Sequence, residues 1–227
     1  MNKLIKIVSV LAVLTGFSTP LMADSSDFAG AYIGIQAQGV GVELDGKHTS
    51  GQDDTGEVTT GVAGRVAGIA GAEVGYAIPV SDTMLLDFGI NYYSGAAKIT
   101  TSNTDTTATA DVTFEMSDLL TAYIAPTFAV SDTASIYLKL GVVEADTKTT
   151  GDVTQPADLQ GTLIGVGSRS LLGNGMFIRT EGGFVDFDSI SVTGKGAGGT
   201  GKTIKTTTTV TADPLVAYGS ISIGYKF

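Results

Sequence analysis

The sequence predicts an all-β fold, a closed eight-stranded antiparallel up-and-down β-barrel that spans a membrane. Three features predict it. Apolar residues alternate with small or polar residues in eight successive segments, short turns alternate with long polar loops, and no segment beyond the N-terminal region is apolar for long enough to form a membrane helix. Only a β-strand has a side-chain period of two. In an exported chain, this alternation indicates strands with lipid on one face and a polar interior on the other.

The closing segment, residues 215–227, has the most regular alternation. Its apolar face ends on an aromatic residue, and its other face carries Ser220, Ser222, Gly224 and Lys226. The segment resembles the last strand of bacterial outer-membrane β-barrels, in which a terminal aromatic residue and alternating apolar residues are recognised by the outer-membrane assembly machinery. The resemblance assigns that assembly signal to Ile221, Ile223, Tyr225 and Phe227.

The N-terminus has the features of a secretion signal. Lys3 and Lys6 precede a short apolar run, and the small residue Ala23 provides a cleavage point. The apolar run is too short to span a bilayer. We therefore expect residues 1–23 to be a cleaved signal peptide and residues 24–227 to form a single outer-membrane β-barrel domain.

The composition is acidic, rich in glycine and free of cysteine. Removing residues 1–23 takes away two lysines and no acid, so the formal charge changes from −10 to −12. We expect no nucleic-acid partner, because such binding depends on basic residues that neutralise phosphate. The 31 glycines suit a barrel whose inner face must make room for opposing side chains. Without disulfides, barrel closure has to stabilise the fold.

Short and long connections alternate along the chain. The short turns are predicted at residues 79–83, 130–133 and 172–175, and the long loops at residues 45–60, 99–112, 145–157 and 189–212. The second turn repeats the Val-Ser-Asp-Thr sequence of the first, which indicates repeated hairpin units. An even number of strands with this alternation places both termini and the short turns in the periplasm and the long loops outside the cell.

The parity of the apolar positions constrains the register. Outward apolar residues are even-numbered on both sides of the first and third turns, and paired residues share a face, so each loop has an odd number of residues unless a bulge intervenes. Three-residue loops would pair Glu73 with Gly89 and Arg179 with Gly167. In the first strand the apolar residues are odd-numbered before Gly39 and even-numbered after it. This change of face predicts a bulge or the exit from the membrane.

Charged side chains occupy the inward phase of several strands. All three arginines do so, and the predicted polar network of the barrel interior consists of Arg65, Glu73, Asp87, Asn91, Glu115, Lys139, Arg169, Arg179 and Glu181. These residues form either the lining of a pore or a closed polar core of ion pairs. The closed core is favoured because eight strands leave an interior that side chains fill.

The whole mature chain is similar to the small eight-stranded outer-membrane barrels of the OmpX and OmpA transmembrane-domain type. The resemblance implies a Gram-negative outer-membrane location, contact with outer-membrane lipid and lipopolysaccharide, and strands that continue past the lipid as a protruding polar sheet. It implies a non-enzymatic protein whose extracellular loops serve surface interaction, adhesion or envelope integrity, through an extracellular partner that the sequence does not name. The alternative function is a narrow passive channel for small solutes.

Three local patterns point to other chemistry. Residues 196–203 match the phosphate-binding loop of nucleotide-binding proteins, but a β-branched run follows where a helix is needed, so a surface loop is expected. His48 raises a third function, a lipid A-modifying outer-membrane enzyme, but no inward Ser-His pair is visible. The loop acids lack the spacing of a calcium loop; they are Asp45, Asp53, Asp54 and Glu57. We expect no cofactor, no metal and no catalytic residue.

Overall fold

The computed structural model describes residues 24–49, 58–101, 112–150, 153–193 and 209–227, and it confirms the predicted all-β barrel. The described residues form nine strands: β1 (Gly30–Thr49), β2 (Val58–Ser81), β3 (Met84–Thr101), β4 (Val112–Ser131), β5 (Ala134–Thr150), β6 (Leu159–Gly173), β7 (Met176–Phe187), β8 (Ile190–Thr193) and β9 (Thr209–Lys226). Strands β1 to β7 and β9 pair antiparallel in that order, and β9 pairs with β1 to close an eight-stranded barrel. The short extra strand β8 pairs with β9. No helix in these ranges is long and apolar enough to cross a bilayer.

The outer wall carries an exposed apolar band. Ile35, Val66 and Phe184 are 67%, 81% and 44% exposed, as expected of side chains that face lipid. On the side of the long loops the band ends at an acidic border, formed by the exposed residues Glu43, Glu144, Asp186 and Asp213. A membrane strand needs about 9–11 residues, whereas β2 has 24. The strands therefore extend past the band, as the predicted protruding sheet requires.

The hairpin turns have two residues and an adjacent bulge, so the three-residue loops considered for the first and third turns do not form, and the bulge that the parity argument left open is present. In the first turn Ser81 pairs with Met84, but the next pair is Pro79 with Leu85, which leaves Val80 as an extra residue. The second and third turns repeat this shift. With the bulged residue, outward-facing residues remain even-numbered on both strands. Each inward residue, however, pairs with the next inward residue of its partner strand, two positions away from the one that a three-residue loop would give.

Strand β1 runs without a bulge, so the bulge predicted as one of two explanations for the change of apolar phase beyond Gly39 is wrong. Its register with β2 is continuous over all 20 of its residues. Val40 and Val42 are only 2% and 3% exposed because they point into the barrel. They belong to the loop-side cluster, an apolar group formed by Val40, Val42, Ile69, Tyr93, Ala97, Phe114, Met116, Leu119, Val143, Ala145, Leu159, Leu163, Val185, Phe187, Val216 and Tyr218. The interior is thus apolar toward the long loops.

The N-terminal segment covers the opposite end of the barrel. A 3-10 helix, Ser25–Phe28, lies against the first hairpin turn. Ser25 donates hydrogen bonds through its backbone N to Asp82 O and through Oγ to Ser81 O, each at 2.7 Å. Phe28 is fully buried in the turn-side cluster, which it forms with Ala77, Leu85 and Ala129. This end of the interior is therefore also apolar.

Some predicted features lie outside the described residues. They are the signal peptide at residues 1–23, the glycine-rich match at residues 196–203, and the acids Asp53, Asp54 and Glu57. Asp45 is exposed on β1. His48 lies on the same strand, where only its backbone is described.

Candidate functional site in the barrel interior

Six charged side chains are buried between the loop-side and turn-side clusters. They come from five strands, are at most 8% exposed, and comprise three acids and three bases: Glu73 on β2, Asp87 on β3, Lys139 on β5, Arg169 on β6, and Arg179 and Glu181 on β7. The charges of these six residues balance. A buried charge without a partner is strongly unfavourable, so each ion needs an opposite charge or several hydrogen bonds.

The two buried arginines share one carboxylate. Arg169 and Arg179 lie directly opposite each other on β6 and β7. The Nη2 atoms of both donate to Asp87 Oδ2, that of Arg179 at 3.0 Å. Arg179 Nη1 donates to Glu73 Oε2 at 2.9 Å, and Ser222 Oγ donates to Glu73 Oε1 at 2.8 Å. Two acids from β2 and β3 thus neutralise two bases on the opposite wall.

Tyrosine hydroxyl groups complete the arginine centre. Tyr32 OH donates to Asp87 Oδ1 and lies 2.7 Å from Tyr123 OH. Tyr123 OH is also 3.1 Å from Arg179 Nη1, which donates to it. Both oxygens of Asp87 therefore accept hydrogen bonds, as a buried carboxylate requires.

Aromatic rings enclose the guanidinium groups. The guanidinium carbon of Arg169 lies 4.6 Å from the ring centre of Tyr32 and 5.2 Å from that of Phe177. That of Arg179 lies 4.9 Å from Tyr32 and 5.1 Å from Tyr137. The Nε atoms of both arginines are buried with no hydrogen-bond partner in the described ranges. Cation–π contacts with these rings therefore provide much of the remaining stabilisation.

Lys139 and Glu181 form a second centre. Lys139 Nζ lies 3.1 Å from each carboxylate oxygen of Glu181. Tyr137 OH donates to Oε2 of this carboxylate at 2.9 Å, and Tyr218 OH donates to Oε1 at 2.7 Å. When the Asn91 side-chain amide is oriented so that both its nitrogen and its oxygen form hydrogen bonds, the oxygen accepts a hydrogen bond from Lys139 Nζ at 2.8 Å. The carboxylate and the ammonium group are thus both satisfied from several strands.

Each of these tyrosines lies opposite a glycine on a neighbouring strand. The cross-strand pairs are Tyr32 with Gly75, Tyr123 with Gly89, Tyr137 with Gly167, and Tyr218 with Gly183. A Cβ atom built on Gly75, Gly89 or Gly167 would overlap the facing tyrosine ring. Glycines therefore make room for inward side chains, as the composition predicted, and they face charged residues as well as tyrosines: Gly34 pairs with Glu73, Gly165 with Lys139 and Gly167 with Glu181.

Little space remains inside the described part of the barrel. The interior cavity beside Lys139 and Glu181 has a volume of about 10 Å³, which holds about one water molecule. The two charged centres and the two apolar clusters occupy the interior around this cavity, and a more open space of about 750 Å³ is bordered in part by the inward residues Gln38, Ile69 and Glu181. This arrangement corresponds to a closed core, with apolar layers at both ends that the sequence interpretation did not include.

Two predicted interior residues lie elsewhere, so their assignment to the polar network is wrong. Arg65 is exposed on β2 next to the acidic border, where it pairs with Val42, although it has the inward phase. Glu115 faces outward and pairs with Lys98 at 3.1 Å. Its orientation follows from Asp118, which has a φ of 49° and interrupts the register of β4 with β5. Beyond this bulge the strand reverses its phase.

The other seven predicted residues lie in the interior. They are Glu73, Asp87, Asn91, Lys139, Arg169, Arg179 and Glu181. The prediction omitted the hydroxyl-bearing residues that complete both centres, which are Tyr32, Tyr123, Tyr137, Tyr218 and Ser222. Their inward phase was visible in the sequence, but a tyrosine on that face does not by itself indicate which acid it contacts.

The residues of the predicted assembly signal lie on the outer surface at the end of the chain. Ile221, Ile223, Tyr225 and Phe227 are 41–70% exposed. The rings of Tyr225 and Phe227 are 5.2 Å apart in an edge-to-face arrangement. Phe227 N donates to Ala31 O at 2.9 Å. Phe227 therefore contributes to closure of the barrel at the start of β1.

Comparison with known proteins gives the same architecture. The model of the family described as outer membrane protein beta-barrel domain matches residues 9–213. The fold is similar to that of the outer membrane protein OprG from Pseudomonas aeruginosa, with a TM-score of 0.51, 15% identity, and coverage of 88% of this chain and 97% of that chain.

Two further solved structures have lower TM-scores. Ail, the attachment invasion locus protein of Yersinia pestis, in complex with the heparin analogue sucrose octasulfate, has a TM-score of 0.46, and Neisserial surface protein A has one of 0.44. Each is 12% identical, and the alignments cover 86% and 87% of this chain and 99% of each relative. No curated protein matches the sequence.

Proposed function

Because the chain belongs to the outer membrane β-barrel family of Gram-negative bacteria, we propose that it is a non-enzymatic outer-membrane protein with a closed interior and an interacting outer surface. The observation that carries the proposal is the filled lumen, in which six mutually paired charges lie between two apolar clusters. Passage of a solute requires continuous space, and these side chains occupy it. The function is therefore assigned to the surface that protrudes beyond the lipid.

The proposed orientation places both termini and the three short turns in the periplasm. Two features support it: the strands extend beyond the apolar band at the end that carries the acidic border, and the opposite end has only short turns. Outer-membrane barrels have short periplasmic turns and longer extracellular loops. Outer-membrane lipid and lipopolysaccharide then surround the apolar band. The assembly machinery reads the signal assigned to Ile221, Ile223, Tyr225 and Phe227.

We assign the protruding surface to interaction with another surface or to envelope integrity. A long, stiff sheet holds its outer edge away from the lipid, where another macromolecule reaches it. Its acidic border repels other anionic surfaces at low ionic strength, and salt screens this repulsion over about 10 Å at 0.1 M. Contact with a partner is therefore expected to depend on salt.

Single-channel recording tests the closed interior. The mature chain is refolded in detergent and inserted into planar bilayers, beside a porin that serves as the positive control. We expect no steady current above the baseline. Large, steady currents would contradict the closed core and favour the alternative function, a narrow passive channel for small solutes.

Surface labelling tests the orientation separately. A short epitope tag placed between residues 102 and 111 is expected to bind antibody on intact cells. The same tag at the second hairpin turn, residues 132–133, is expected to bind only after the outer membrane is permeabilised. The reverse pattern would place the long loops in the periplasm.

A further inference from the structure

Two buried polar side chains of the barrel have no hydrogen-bond partner among the described residues. They are Gln38 on β1, which is 7% exposed, and Thr121 on β4, which is 2% exposed. Their strand neighbours Ala37 and Ala122 are exposed on the outer wall, so both polar side chains point inward. Almost every buried polar group in a folded protein has a hydrogen-bond partner. The two side chains therefore indicate a partner that the described residues do not supply.

Both side chains line the same interior cavity, which has a volume of about 10 Å³. They reach it from β1 and β4, two strands that are not neighbours in the sheet. The lining also includes Lys139, Glu181 and several members of the loop-side cluster, among them Tyr93 and Tyr218. A cavity of this size holds about one water molecule, provided that polar groups surround it. The site is therefore small, and it lies where the second charged centre meets the apolar cluster.

The charged neighbours of the cavity already have their partners. Lys139 Nζ donates to both carboxylate oxygens of Glu181 and to the Asn91 amide oxygen, which uses all three of its protons. Each oxygen of Glu181 accepts from Lys139 and from one tyrosine hydroxyl group. A molecule in the cavity is therefore held chiefly by the two unpartnered side chains and not by the ions.

Lipid on the outer wall does not satisfy the Gln38 amide. The more open space of about 750 Å³ also borders Gln38, but its other borders include Ala37, Ala70 and Ile221, which are exposed on the outer wall. That space therefore opens to the lipid side. Acyl chains have no hydrogen-bond donors or acceptors, so an amide in contact with them stays unsatisfied. The partner of Gln38 has to lie inside the barrel.

We propose that the cavity binds a single water molecule, which bridges Gln38 on β1 and Thr121 on β4. Water donates and accepts hydrogen bonds, as an amide and a hydroxyl group also do, so it serves both side chains. The hydroxyl oxygens of Tyr93 and Tyr218 donate their protons elsewhere and still accept. They bring the number of available partners to about four, the upper end for a buried water. The water connects two walls of the barrel, and its site does not depend on the surface role proposed above.

Water fits the cavity better than an ion or no occupant does. The charges of the six buried ionic side chains balance, so a bound ion would leave a net charge in the interior, which is strongly unfavourable. Cavities that stay dry in proteins are lined by apolar groups. A dry cavity here would leave an amide and a hydroxyl group unsatisfied. One neutral water molecule avoids both penalties.

A crystal structure of the mature protein, refolded in detergent, tests the site directly. We expect one peak of electron density within about 3.2 Å of both the Gln38 side-chain amide and Thr121 Oγ1. A second crystal of protein refolded and crystallised in thallium(I) acetate distinguishes water from a monovalent cation, because thallium scatters anomalously. We expect no anomalous signal in the cavity. Absence of any density there in the first crystal, or an anomalous peak in the second, would overturn the proposal.

The direction of two stability changes gives an independent test. With a bridging water, Thr121→Val and Gln38→Leu each remove one of its partners, and each is expected to lower the urea midpoint of unfolding. The double variant is expected to lose less than the sum of the two, because neither polar group then remains unsatisfied. In a dry cavity each single change removes an unpartnered polar group, so an unchanged or raised midpoint would refute the water. Thr133→Val, in the exposed second turn, is the control and is expected to leave the midpoint unchanged.

Discussion

Arg169 and Arg179 lie directly opposite each other on neighbouring strands, and the same atom, Asp87 Oδ2, accepts a hydrogen bond from both guanidinium groups. Like charges in directly paired positions destabilise a sheet. Here Asp87, on the opposite wall, lies between the two guanidinium groups and offsets their repulsion, and its hydrogen bonds connect the two walls across the lumen. Glu73 is a second partner of Arg179, so two acids balance the two guanidinium groups.

Asp87→Asn is expected to lower the free energy of unfolding by about 3–5 kcal/mol, because it leaves two buried guanidinium groups with less compensating charge. Urea unfolding of the barrel in detergent, followed by the different migration of folded and boiled protein on gels, measures the change. Asp146→Asn is the matched control, since Asp146 is exposed on β5, and a change within about 0.5 kcal/mol is expected there. Similar losses for the two variants would contradict the arginine centre.

Arg179→Ala is expected to be far more destabilising than Arg65→Ala. Arg179 is 4% exposed and contacts Glu73 and Asp87, so its loss leaves buried acids without a partner at a cost of about 3–5 kcal/mol. Arg65 is exposed, and a change of less than about 0.5 kcal/mol is expected for it. If both variants kept wild-type stability and Arg179→Ala changed the ion selectivity of a measurable conductance, the interior would be a water-filled pore.

Two ion pairs of equal length provide a test of burial. Lys139–Glu181 and Lys98–Glu115 both have N–O distances of 3.1 Å, but the lysine side chains are 2% and 57% exposed. Lys139→Met is expected to cost about 3–5 kcal/mol, whereas Lys98→Met is expected to cost about 0–1 kcal/mol. Added salt should weaken only the exposed pair. Equal unfolding midpoints for the two variants would show that Lys139 is solvated.

Gly167→Ala is expected to reduce stability by about 1–3 kcal/mol, because the added methyl group overlaps the ring of Tyr137. Gly219→Ala is the control, since no atom lies within 4 Å of a Cβ built at that position. Alanine there is expected to leave stability unchanged or to raise it by up to about 1 kcal/mol through the unfolded state. Thermal unfolding of both variants distinguishes the cases, and an equal loss at Gly219 would argue against specific packing at Gly167.

Deletion of Phe227 is expected to reduce the amount of folded protein in the outer membrane several-fold. The deletion removes the terminal aromatic of the predicted assembly signal and the hydrogen bond from Phe227 N to Ala31 O. Phe184→Ala is the control, since Phe184 is also an exposed aromatic residue of the outer wall. Equal yields of the two variants, measured in isolated outer membranes, would reject the special role of Phe227.

The strand phases could be read from the sequence because a side-chain period of two is a local property. It correctly placed Glu73, Lys139 and Arg179 inside the barrel. It failed at Glu115, because the bulge at Asp118 reverses the phase of β4. It left a bulge or the exit from the membrane open at Val40 and Val42, whereas the strand has no bulge there and both side chains fill the interior toward the long loops.

The sequence alone therefore determined the fold class, the number of barrel strands and most of the inward residues. Only the tertiary structure decided which of those residues meet. A single bulged residue in each turn sets the register, and its presence depends on turn geometry that the apolar pattern does not encode. Arg179 contacts Glu73 and Asp87, which are 106 and 92 residues away along the chain. Closure brings opposite walls together across the lumen, so these partners follow from the circular order of the strands and not from any local sequence pattern.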